Sequence, residues 1–135
     1  MQHRPNATPA SQVEVPQSMI IPAEWMAEAS VQDFRPAPAQ RAFRCDTDHK
    51  LVALADIEVP LRKSDYPLDA NGFHRERMVR LLIGIRANIS LPPIHIEKAD
   101  PGQRPYRVHC GAHRYHASLT LGFSHVPAQI VERID

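Results

Sequence analysis

Residues 106–122 most narrow what this chain can form. Tyr106, Val108 and Cys110 alternate with Arg107 and His109, the period of a strand. Gly111 stops the alternation, and Ala112, Tyr115, His116 and Leu119 then recur at helical spacing as far as Gly122, a good helix stop. A strand that breaks at glycine and opens straight into a helix leaves backbone N–H groups unpaired. The helix dipole adds partial positive charge there, and the glycine lets an anion approach the backbone. Arg114 would add the planar fork that suits phosphate. His113 would add an imidazole that donates from both nitrogens when charged. The same residues also fit a plain strand-to-helix turn with surface side chains.

The chain before this turn supplies the remaining elements. Leu51–Val59 is expected to contain a strand ending at Pro60, and the polar run from Leu61 to Gly72 reads as loop. Arg75–Ala87 places Met78, Leu81, Leu82 and Ile85 on one helical face, with Arg77, Arg80 and Gly84 on its neighbour. Ile94–Glu97 alternates as a strand after Pro92-Pro93, and Asp100-Pro101-Gly102 marks a turn. Val126–Val131 is a last strand, expected at an edge because it contains Pro127. Strand, helix, strand, turn, strand, helix, strand makes a compact α+β (α/β) domain over residues 46–135.

Residues 1–45 carry six of the thirteen prolines among Ala, Ser, Gln and Thr, and read as an irregular Pro-rich arm. Within it a short helix can start at Pro22. Trp25 and Met26 would give that helix an apolar side, which either packs back onto the domain or docks a protein partner.

Composition excludes several classes. A net charge of +1 is not that of a polycation seeking nucleic acid, so attraction to phosphate must come from local arrangement. No run approaches the roughly 18 apolar residues of a membrane span, and the start has no secretory signal pattern, so cytoplasmic residence is expected. Two cysteines, Cys45 and Cys110, make no disulfide framework. Cys110 is expected in the core beside Val108. His109, Cys110, His113 and His116 lie close in sequence, but His109 and Cys110 point to opposite faces of a strand, so no metal site is assigned.

The run Tyr106-Arg107-Val108-His109-Cys110-Gly111-Ala112-His113-Arg114-Tyr115-His116-Ala117 resembles the signature of the ParB/sulfiredoxin superfamily, called ParB-like nuclease domains in some members. There the turn reads Gly-Gly-Cys-His-Arg-Tyr in sulfiredoxins and Gly-Glu-Arg-Arg in ParB proteins. Pro92-Pro93-Ile94, Leu121-Gly122 and Val126-Pro127 fall in matching order, and the likeness covers roughly residues 51 to 132. It implies a small mixed sheet with flanking helices. It implies a nucleotide held at Gly111, Ala112, His113 and Arg114, with Arg77 and Arg80 at the positions of a second phosphate-contacting helix. A nucleoside triphosphate, ATP or CTP in type, would be the ligand, with magnesium as its companion. Ala112 stands where sulfiredoxins carry their catalytic cysteine, so that chemistry lacks its nucleophile. In ParB proteins the same position is a glutamate linked with nucleotide turnover. Over the residues up to Asp135 a partition protein's helix-turn-helix domain is not expected.

Two functions follow as expectations. One is a nucleotide-binding phosphohydrolase or nuclease, for which no catalytic residue can be assigned: Asp65, Asp69, Glu76 and Asp100 have no diagnostic spacing. The other is a non-catalytic module that keeps the fold and binds DNA or a protein partner, with Arg75, Arg77, Arg80 and Arg86 offering phosphate contacts.

Overall fold

The stretch expected as one strand before Pro60 is two, and they lie on opposite edges of one sheet. β1 (Lys50–Ala53) ends in a single 3₁₀ turn at Leu54–Asp56, after which β2 (Ile57–Glu58) begins. The computed structural model describes residues 13–61, 72–102 and 104–132. Most of the expected Leu61–Gly72 loop therefore lies outside the described residues, as do Asp65 and Asp69.

Three helices, α1 (Ala23–Glu28), α2 (Arg75–Arg86) and α3 (Ala112–Leu121), accompany β3 (Ile94–Lys98), β4 (Tyr106–Cys110) and β5 (His125–Ile130). The sheet runs β1-β5-β3-β4-β2. Pairing is antiparallel for β1/β5 and β3/β4 and parallel for β5/β3 and β4/β2, so the sheet is mixed and the fold α+β. α3 packs on β3 and β5, α2 on α3, and α1 on α2.

β5 is an interior strand, which corrects the expectation raised by Pro127. Pro127 stands opposite Leu51 of β1, one residue before β5 begins its ladder with β3 at Ala128. It therefore has a neighbour on one side only, where a missing N–H is tolerated.

The core gathers Leu54, Ile57, Phe73, Met78, Leu82, Ile94, Ile96, Tyr115, Phe123 and Val126. Met19, Ile21, Trp25, Ala29, Val31 and Phe43, from the stretch read as an arm, join the same cluster. Trp25 is only 6% exposed, so its indole packs onto the domain and is not free to dock a partner. Arg75 pairs with Glu28, and Arg86 Nε donates to Ala29 O at 3.1 Å, which ties α1 to both ends of α2.

Candidate functional site

α3 starts and stops where its sequence signals place it. Gly111 is its N-cap in the left-handed region (φ 116°), and Gly122 is its C-cap at φ 96°. At Gly111 a Cβ would lie 2.7 Å from Ile94 Cγ2 and 2.8 Å from Ile94 Cβ, so both conformation and space demand glycine. No side chain caps the helix start. The N–H groups of Ala112, His113 and Arg114 precede the first intrahelical donor, since the first intrahelical bond runs from Tyr115 N–H to Gly111 O at 2.9 Å.

These groups open into a cavity of about 610 Å³ lined by Pro60, Leu61, Arg77, Leu81 and residues 108–114. Arg77 and Arg114 are each the third residue of their helix, α2 and α3, and both line it. Arg114 curls back over its own helix start: Nη2 donates to Pro93 O at 3.3 Å, and its Nε is buried with no hydrogen-bond partner among the described residues. Burial holds the Arg114 pKa below the usual arginine value, opposed by the neighbouring Cys110 and reinforced by the positive charge of Arg77. Arg77 has no ion-pair partner among the described residues. The cavity thus holds two converging cations beside a helix start and, among the described residues, no carboxylate in its lining.

Arg80 sits apart. It lines a neighbouring cavity of about 550 Å³ with His74, Glu76, Arg77, Leu81 and Leu91, and its guanidinium is held 2.8 Å from Glu76. Arg77 is common to both cavities.

His113 differs from its expected role as a charged donor. The residue is 4% exposed, and Nε2 accepts from the His74 N–H at 3.0 Å, which requires that nitrogen to be unprotonated. His116 is also buried, with Nε2 donating to Pro60 O at 3.0 Å. His109 also lines the cavity, with its Nδ1 3.4 Å from Glu97, which takes Arg107 Nε at 2.7 Å. Among the described residues no group of three His, Cys, Asp or Glu side chains could hold a metal ion.

Cys110 is the clear correction. It is exposed and lines the cavity instead of joining the core. β2 pairs only with Tyr106 and Arg107, so the far end of β4 runs past its neighbour and into the cavity wall. Its position as the last residue of a strand before a glycine-led helix was the signal for this. Leu61, Leu81 and Val108 complete the wall with no local signal in the sequence.

What fold and site define is an α+β domain with a candidate anion cradle. No model of a known protein family matches the chain, and no curated protein does. The chain is similar in structure to the C-terminally truncated chromosome-partitioning protein ParB from Caulobacter crescentus, solved with CTP-gamma-S, at 22% identity and a TM-score of 0.49. That alignment covers 66% of this chain and spans 47%, about half, of the other.

Proposed function

We propose that this domain binds a nucleoside triphosphate, with the phosphates in the cavity at the start of α3. The reading is carried by one observation: an uncapped helix N-terminus, led by a glycine with no room for a side chain, opens into a cavity where Arg77 and Arg114 converge without a counter-charge among the described residues. Two guanidiniums and a helix dipole raise each other's cost until an anion arrives, and phosphate supplies several acceptors at once. The backbone N–H groups of Ala112, His113 and Arg114, with the Arg77 and Arg114 side chains, would form the cradle. Arg80, engaged by Glu76, stands at its margin. The choice of a nucleotide within the class of phosphate compounds comes from the resemblance of residues 106–117 to the ParB/sulfiredoxin signature. Magnesium would arrive with the triphosphate; the residues described around the cavity offer it no carboxylate.

That same lack favours binding over turnover. Phosphoryl transfer needs charge neutralisation and a positioned nucleophile, and usually a metal. The described walls supply the first, and no carboxylate to hold a metal. DNA binding through α2 has less support, because Arg75, Arg80 and Arg86 are each committed, to Glu28, Glu76 and Ala29 O.

The test is a titration of wild type and Arg114→Ala with fluorescent ATP and CTP analogues in magnesium, beside an assay for released inorganic phosphate. Wild type should bind saturably, and Arg114→Ala should lose about tenfold or more in affinity, the size of one charge-assisted hydrogen bond. Equal affinities in the two proteins would remove the cradle. Phosphate release should stay at background, and magnesium-dependent release abolished by Arg114→Ala would replace the binding module with an enzyme.

A further inference from the structure

We infer that His113 positions the cradle instead of touching the ligand: its ring ties the start of α2 to the first turn of α3 and so sets the distance between Arg77 and Arg114. This rests on the phosphate reading of the cavity given above.

His74 is the N-cap of α2, and no side chain caps that helix. Its own N–H goes 39 residues along the chain, to His113 Nε2 at 3.0 Å. The two imidazoles stack with centroids 5.9 Å apart and planes 14° from parallel. Phe73 meets the His113 ring edge-on at 5.4 Å. One buried side chain near the start of α3 therefore holds both residues that lead into α2. Arg77 follows three residues after His74, on the neighbouring turn of the same helix. A helix moves as a unit, so displacing His74 displaces Arg77.

Nε2 is taken up by the His74 N–H, and the residue is 4% exposed, so it presents little surface to a phosphate. Its contribution is geometric. Arg77 and Arg114 carry like charge in the same cavity wall, so their repulsion works against close approach. The helix-to-helix bond holds them against it, and binding groups must be held within about 0.5 Å of productive geometry to act together.

The experiment is a double-mutant cycle on triphosphate affinity, using fluorescent ATP and CTP analogues with His113→Phe and Arg77→Ala, each folded state checked by circular dichroism. Phenylalanine keeps the ring and removes the acceptor. In wild type Arg77→Ala should cost about tenfold in affinity; in the His113→Phe background it should cost less than about threefold, because Arg77 is already out of place. His113→Gln, whose Oε1 can stand in for Nε2 as acceptor, should bind within about threefold of wild type and recover the full Arg77 effect. Additive losses, or a His113→Gln as weak as His113→Phe, would overturn the positioning role and leave the nucleotide reading intact. The glutamine variant decides the matter alone if His113→Phe does not fold. Absence of binding in wild type would sink the nucleotide reading itself, and this inference with it.

Discussion

Tyr115 shows how a single atom can work against the fold that buries it. Its ring is fully buried and meets His116 edge-on at 5.1 Å, but its hydroxyl has no hydrogen-bond partner among the described residues. Burial pushes the phenol up to about 12, with the charge of Arg104 opposing. A phenol ordinarily titrates near 10. The folded state thus retains its proton more tightly than the unfolded chain, so this contribution to stability is complete below about pH 10 and is lost as pH rises towards about 12. Tyr115→Phe keeps the packing and deletes the orphaned hydroxyl. It should leave stability unchanged or raise it by up to about 1 kcal/mol in urea denaturation at neutral pH. It should also flatten the fall in stability between pH 10 and 12. A loss of more than about 1 kcal/mol would show that the hydroxyl is satisfied after all.

Among elements, α3 was legible almost to the residue because its signals are local: a glycine on each side and helical spacing between. The strands were legible in place but not in company. Alternation fixes which residues share a face and says nothing about what lies over that face. β4 forms at the residues read for it, but its burial does not alternate: Tyr106 to Val108 are half-buried and His109 and Cys110 exposed, β2 pairs with its first two residues only, and Cys110 emerges beside the cavity. Pro127 misled for a similar reason, since a proline reports one missing donor and not how many neighbours a strand has. The exposure of Cys110 makes a sharp forecast. Cys110→Ser should change unfolding free energy by no more than about 0.5 kcal/mol, the range of ordinary surface substitutions. Iodoacetamide should alkylate Cys110 in the native protein, more slowly once a triphosphate fills the cavity. A resistant thiol, or a serine variant destabilised by more than about 2 kcal/mol, would return Cys110 to the core.

At the scale of the whole molecule, the cradle was legible because it is built from consecutive residues, whereas the His74–His113 bond joins positions 39 apart that nothing in the sequence connects. The role of residues 13–45 was hidden by their prolines, which bear on backbone regularity and not on burial. Met19, Ile21, Trp25, Val31 and Phe43 are each at most 6% exposed in the common core. Side chains of this kind contribute about 1.5–3 kcal/mol each when fully buried, so the five together are worth on the order of 10 kcal/mol. A domain's entire net stability is about 5–15 kcal/mol. The stretch is also bonded in place: Leu91 N–H donates to Arg44 O at 2.9 Å, and His125 N–H to Arg41 O at 3.0 Å, so its end reaches the loop before β3 and the start of β5. A chain beginning at residue 46 would expose the α2 face that α1 covers and lose those backbone partners. It should show no cooperative thermal transition by calorimetry, whereas the full chain should melt in one. A sharp transition in the shorter chain, near that of the full protein, would make the N-terminal stretch an appendage and move the weight of the fold onto the sheet and the α2–α3 pair alone.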